Sequence, residues 1–314
     1  MPATGVADAP ATGATVKSGT PPTPQNPPET ARRAAPRPVV LVAAGDIACN
    51  PANEKFKDLE GDETGCRQKA TSDLVLSRHP DAVMPLGDSQ YQRGTYNGFQ
   101  LSYGLTWGRF LGITHPVVGN HEYLTPGATG YFRYFGTLAG DPTQGYYSYE
   151  LGSWHVVVLN SQCEFVGGCG AGSAQEKWLR SDLASHKSQC TLAAWHEPRW
   201  SSGEHHSNPA LDAFWRDLHF AGAEVVLSGH DHDYERFQAL DADGRADAAQ
   251  GMRQFVVGTG GVGLRPFDVI AAGSEIRRNG AFGVLSLTLR TNSYSWRFDS
   301  LNSSLSDSGS GACH

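Results

Sequence analysis

Residues 82–91 read Ala82-Val83-Met84-Pro85-Leu86-Gly87-Asp88-Ser89-Gln90-Tyr91. An apolar run is followed at once by a glycine, a carboxylate, two polar residues and a phenol. A short apolar run of this kind reads as a strand. The loop behind it is rich in groups that hold cations. The same arrangement recurs on both sides. Upstream, Val39–Ala44 leads into Gly45-Asp46-Ile47-Ala48-Cys49. Downstream, Val118-Gly119-Asn120-His121-Glu122, Ala194-Trp195-His196-Glu197-Pro198 and Ser228-Gly229-His230-Asp231-His232-Asp233-Tyr234-Glu235-Arg236 each follow an apolar run. In an open α/β sheet, ligands bind beyond the carboxyl ends of strands. Loops far apart in sequence can therefore converge.

Further strands are expected at Pro116–Val118, Tyr146–Leu151, His155–Leu159, Thr191–Trp195, Glu224–Leu227, Gln254–Val257, Gly283–Leu289 and Tyr294–Phe298. Helices are expected at Arg67–Arg78, Gly98–Leu111, Ser173–Ser185 and Pro209–Phe220. Ser173 with Glu176 fits a capping box. The first half alternates strand and helix, which implies βαβ units and a largely parallel sheet. Thr291-Asn292 between the last two strands implies a hairpin. The expected fold class is α/β (α+β), with two mixed β-sheets packed as a sandwich and flanked by helices.

Composition narrows the rest. The chain has 314 residues, 39% hydrophobic, with a net charge of -7. A core is affordable, so wholesale disorder is excluded. A mildly acidic chain is not built to bind nucleic acid or an anionic membrane. No apolar run approaches the roughly 18 residues that span a bilayer. Nine of the 18 prolines fall within residues 1–38, a stretch without aromatics, Leu or Ile. Residues 1–37 are expected to form a disordered or extended tail, and residues 38–314 one catalytic domain.

The six cysteines, Cys49, Cys66, Cys163, Cys169, Cys190 and Cys313, form no CxxC pair. Nearest-neighbour pairing gives Cys49–Cys66, Cys163–Cys169 and Cys190–Cys313. The alternative is six free thiols in a cytosolic protein. Oxidation implies export, to a periplasmic or extracellular compartment, although no apolar signal segment is visible in this sequence. Cys49 could also be a metal ligand.

Taken together, the five loops resemble the calcineurin-like metallophosphoesterases, and among them the purple acid phosphatases, over residues 38–300. The first loop of most such proteins carries Asp-x-His. Here the histidine position is Ala48, and Tyr91 follows Asp88 by three residues, as in the purple acid phosphatase pattern. The family's usual Gly-Asp-x-Gly is also broken at Ala48. The resemblance implies two metal ions. Asp46, Asp88, Tyr91 and His232 would hold the first; Asp88, Asn120, His196 and His230 the second. Phenolate is a hard donor suited to Fe(III), and the second ion would be divalent Fe, Zn or Mn.

The implied reaction is hydrolysis of phosphate monoesters by a metal-bound hydroxide. His121, beside Asn120, is placed for a supporting role. His205 and His206 follow His196 at the spacing of the family's substrate-facing histidines, with His206 the proton donor and His205 its neighbour. The implied partner is a small-molecule phosphate ester. Alternatives are a phosphodiesterase or nucleotide hydrolase on the same site, and a non-catalytic secreted binding protein. Asp231, Asp233, Glu235 and Arg236 read as outer groups whose carboxylates accept from metal-bound imidazoles. Ser201-Ser202-Gly203 reads as a mobile loop. Tyr123, Trp200 and Tyr234 read as mouth or core, and His79, His115, His155, His186 and His219 as structural.

Overall fold

Strand burial in this chain follows the period of two that sheet geometry imposes. Within Trp154–Val158, Val156 and Val158 belong to one apolar cluster and Val157 to another. Leu192 and Ala194 against Ala193, Val225 and Leu227 against Val226, and Phe255 and Val257 against Val256 divide the same way. Both faces of these strands are covered, which is why they read as continuous apolar runs.

The computed structural model describes residues 5, 9–15, 37–188 and 190–314. Most of the tail expected over 1–37 lies outside them. In chain order the elements are β1 (Val39–Ala44), α1 (Gln68–Ser77), β2 (Ala82–Pro85), α2 (Tyr96–Leu101), α3 (Asn120–Tyr123), α4 (Thr129–Phe135), β3 (Tyr147–Leu151), β4 (Trp154–Val158), α5 (Ala174–Ser185), β5 (Cys190–Ala194), α6 (Asp212–Phe220), β6 (Val225–Ser228), β7 (Tyr234–Leu240), β8 (Met252–Val257), β9 (Ser274–Arg278), β10 (Gly283–Arg290), β11 (Ser293–Ser300) and β12 (Asp307–Ala312). Short 3-10 turns connect several of them.

One sheet has the order β12-β11-β10-β1-β2, the other β3-β4-β5-β6-β8-β7-β9. Both are mixed, as expected. β1 and β2 are parallel, while β1 and β10 are antiparallel. In the larger sheet β4, β5, β6 and β8 run parallel. The β10–β11 hairpin turns at Thr291-Asn292, since Arg290 faces Ser293. The inter-sheet core joins Leu41, Leu285, Leu287 and Phe298 to Val156, Leu192, Leu227 and Phe255. Leu179 of α5 and Phe214, Trp215 and Leu218 of α6 cover the other face of the larger sheet.

Several expectations need correction. The helix expected over Gly98–Leu111 ends at Leu101 and continues as two 3-10 segments. Gly104 and Gly108 lie in this stretch, where a Cβ on either would crowd the Tyr134 hydroxyl. Close approach to Tyr134 has displaced helical regularity. Pro116–Val118 is no strand. It contributes a single bridge, Leu86 to Val117. β7, β9 and β12 were not foreseen.

Ser173 caps α5 by accepting from the Glu176 N–H at 3.2 Å. Glu176 reaches back to the Gly172 N–H at 3.0 Å, one residue short of a capping box. The cysteines pair as Cys49–Cys66, Cys163–Cys169 and Cys190–Cys313. Cys49 is thereby spent on a disulfide and is no metal ligand. Among the described residues, no helix is long and apolar enough to cross a membrane.

Candidate metal centre

The first two loops are stitched together beyond their strands. Asp46, Ile47 and Ala48 N–H groups donate to the carbonyls of Gly87, Asp88 and Ser89, and Tyr91 N–H returns to Ala48 at 2.9 Å. This continuation of the parallel ladder carries the Tyr91 hydroxyl to Asp46. The hydroxyl lies 2.8 Å from Asp46 Oδ1, 2.9 Å from Asp88 Oδ2 and 3.0 Å from His232 Nε2. Ala48 is fully buried in the core beneath.

The second group surrounds Asn120. Its Oδ1 lies 3.0 Å from His196 Nε2 and 3.2 Å from His230 Nδ1. The two imidazole nitrogens are 3.2 Å apart, and His196 Nε2 is 3.4 Å from Asp88 Oδ2. All seven residues expected as ligands are thus brought together, and Asp88 faces both groups. Asp46 and Asp88 adopt φ of 60° and 48° to aim their carboxylates inward. Gly87 (φ 86°) leaves room for the His196 ring, and a Cβ on Gly119 would collide with the Asp88 carboxylate.

The donor chemistry fits cations. A phenol has one proton, yet the Tyr91 hydroxyl meets three acceptors within 3.0 Å. His232 Nδ1 donates to the Gly263 carbonyl at 2.7 Å, so its Nε2 offers a lone pair. His196 Nδ1 donates to the Leu86 carbonyl at 2.8 Å, so in a neutral ring Nε2 would face Asn120 Oδ1 lone pair to lone pair. Such a cluster needs positive charge from protons or metals. Burial and the Asp46 and Asp88 carboxylates push the Tyr91 phenol well up. Burial acts against protonation of His196, but Asp88 and Asp46 outweigh it and raise that ring to about 10. Burial and the neighbouring His196 lower His230 to about 3. Without metal, the carboxylates must hold protons close by. Asp46, Asp88, Tyr91 and His232 could hold one cation, and Asp88, Asn120, His196 and His230 a second.

The outer groups differ from expectation. The imidazole acceptors are main-chain carbonyls, not carboxylates. Leu86 lies one residue past β2, and its carbonyl is free to turn into the site. Asp231 instead accepts from Ser201 Oγ and from His205 N–H (2.9 Å). Glu235 accepts from Ser202 N–H at 2.8 Å and from the Ser202 and Ser274 hydroxyls. These bonds anchor the segment read as a mobile loop, and Ser201 and Ser202 are buried. Asp233 is buried with neither carboxylate oxygen bonded. Burial and Asp231 push it well up, towards the neutral acid. Arg236 pairs with Asp307 and Glu275, outside the cluster. Tyr234 is core, stacked on Phe298 at 4.0 Å.

His121 N–H donates to Asp88 Oδ1 at 2.9 Å, and its ring lies 4.1 Å from that of Tyr91. His205 packs on His230 with ring centroids 4.3 Å apart. His206 Nε2 lies instead 3.7 Å from Asp268 Oδ2 on an exposed loop. The structure therefore brings His121 and His205 against the donors, and His206 against Asp268.

One functional residue was missed. The buried Glu122 carboxylate accepts from the N–H groups of Asp88 (2.9 Å), Gly119 (2.8 Å) and Gln90 (3.3 Å). It ties the Asp88 loop to the Asn120 loop. Burial, then the charge of Asp88, push it up to about 8. The only signal in the sequence was a carboxylate two residues after Asn120.

Residues 39–234 match the family model for calcineurin-like phosphoesterases. Purple acid phosphatase 15 of Arabidopsis thaliana is 30% identical over 199 residues, 52% of this chain and 37% of that protein. Probable inactive purple acid phosphatase 9 of the same plant is 26% identical over 60% of this chain and 34% of its own length. The chain thus spans little more than a third of these relatives. A solved purple acid phosphatase from yellow lupin (Lupinus luteus) seeds shares the fold, with a TM-score of 0.70 at 18% identity, covering 88% of this chain and 54% of that one. A match over more than half of the residues, together with this fold, shows that the chain belongs to the calcineurin-like phosphoesterase family and has purple acid phosphatases among its relatives.

Proposed function

We propose that the chain is a binuclear-metal phosphatase that hydrolyses phosphate monoesters of small molecules, working in an oxidising compartment outside the cytosol. The observation that carries this reading is the Tyr91 hydroxyl, with three acceptors and one proton, beside a second donor group that shares Asp88. We assign Fe(III) to the Tyr91 side and a divalent Fe, Zn or Mn to the Asn120 side. When bound, the two ions supply a water deprotonated at working pH and neutralise charge on the phosphate oxygens.

The protein's own part is orientation and proton delivery. Gly263 and Leu86 carbonyls fix the tautomers of His232 and His196. The Gln92 carbonyl accepts from His121 Nδ1–H at 2.7 Å, which leaves Nε2 for the phosphate side. His205, against His230, is assigned to phosphate binding. His206, ten residues after His196 and exposed, is assigned as proton donor to the leaving oxygen.

The test is turnover of an aryl phosphate monoester and the bis-ester of the same phenol by protein loaded with iron and zinc. Monoester turnover should exceed diester turnover. The reverse order identifies a phosphodiesterase, and no turnover of either leaves a binding protein. His206→Ala should lower kcat on alkyl monoesters by about 10²-fold or more, and much less on nitrophenyl esters, whose leaving group needs no proton. Equal losses on both would remove His206 from that role. Tyr91→Phe should abolish the visible absorption band of the iron-loaded protein. An unchanged band in that variant would place the chromophore elsewhere.

A further inference from the structure

At the far end of the larger sheet, away from the loops that carry the metal donors, lies a second convergence of ligating side chains. His155 stands near the start of β4 and is 1% exposed. Asp182 lies in the last turn of α5, and His186 closes that helix. His155 Nε2 is 2.7 Å from Asp182 Oδ2, and His186 Nδ1 is 3.2 Å from Asp182 Oδ1. The two imidazoles stack with centroids 4.6 Å apart. One ligand atom from each residue lies within 4.8 Å of those of the other two.

Two physical features favour a cation there. A carboxylate in the last turn of a helix faces the negative end of the helix dipole, and Asp182 is only 9% exposed. It needs positive charge beside it. In addition, Glu150 Oε1 on the neighbouring strand β3 lies 2.8 Å from His155 Nδ1. With Glu150 accepting from Nδ1–H, the proton between Nε2 and Asp182 Oδ2 is the one a cation would displace, which leaves the Nε2 lone pair to the metal. A carboxylate on one imidazole nitrogen and an open lone pair on the other is how metal-binding histidines are oriented. Ser148 Oγ donates to Asp182 Oδ1 at 2.7 Å and fixes the carboxylate.

We propose that His155 Nε2, Asp182 and His186 Nδ1 form a third metal site, for one divalent cation of the zinc type. Two imidazoles and a carboxylate match zinc's preference for nitrogen and oxygen donors, and water completes the coordination. The His186 side chain is 45% exposed, which provides the entry path. Its Nδ1 also lies 3.0 Å from the Asp182 carbonyl, a contact exchanged for the metal by a turn of the exposed ring. Binding releases the proton otherwise shared by His155 and Asp182. The bound ion fastens the β3–β4 hairpin, at the edge of the sheet, to α5. This site is independent of the phosphatase reading.

The test compares zinc bound per chain in parent protein and His186→Ala, after chelation and equilibrium dialysis against Zn²⁺. The exposed position keeps the variant folded, as circular dichroism would verify, and His186→Gln serves as a second variant. One equivalent fewer is expected, with phosphate-ester turnover unchanged. The same difference is expected in an Asp88→Asn background, whatever that substitution does to the other centre. Equal zinc counts in both backgrounds overturn the site. So does a lost equivalent accompanied by lost turnover, because that zinc came from the centre at Asp88.

Discussion

Asp88→Asn is expected to lower kcat/KM for phosphate esters by about 10³-fold or more, about 4 kcal/mol in the barrier. The substitution is isosteric and leaves the Asp88 N–H on Glu122 untouched. Its effect is confined to the carboxylate. Oδ2 faces both the Tyr91 hydroxyl at 2.9 Å and His196 Nε2 at 3.4 Å. An amide there removes one negative charge shared by both donor groups. In one rotamer it also points N–H at groups that should meet a cation. Metal content should fall along with activity. The metal-free variant should be less thermostable than metal-free parent, because the buried His196 ring loses the carboxylate that favours its protonated form. Turnover and metal analysis on one preparation check both halves. Parental activity would end the two-metal reading.

That prediction was available from sequence because the ligands follow strands directly. Asp46, Asp88, His196 and His230 each sit within three residues of an apolar run, so the pattern that marks a strand also marks its ligand. The unforeseen strands lack that pattern. β9, Ser274–Arg278, is a charged edge strand. β12, Asp307–Ala312, is mostly Ser and Gly. It is held by pairing to β11, by the Cys190–Cys313 disulfide, and by Asp307, which accepts from Tyr234, Arg236 and Trp296. Those are long-range contacts without a local signal. The partners of the imidazoles were misread for a related reason. The Leu86 and Gly263 carbonyls are main chain, and a sequence gives no sign of which carbonyl turns inward. The anchoring of Ser201 and Ser202 likewise depends on Asp231 and Glu235 across the site.

Glu122 is the residue whose loss should cost the fold most among those at the centre. Its two oxygens take three main-chain N–H groups, two of them on Oε2. Glu122→Ala leaves those donors buried without partners. At roughly 1–3 kcal/mol for each, with some relaxation, destabilisation of about 3–5 kcal/mol is expected. Hydrolysis should fall with it, because Asp88 and Asn120 lose their common tie. Glu122→Gln separates positioning from charge. A glutamine oxygen in the Oε2 position keeps the bonds to Asp88 and Gly119. Only the longer bond from Gln90, at 3.3 Å, faces an amide group instead. If Glu122 acts by positioning, the Gln variant retains most stability and metal and loses activity by about tenfold or less. The comparison needs urea unfolding, metal content and kcat on all three proteins. Should the Gln variant lose as much activity as the Ala variant while remaining as stable as the parent, the carboxylate's charge, not its geometry, would be what the centre requires.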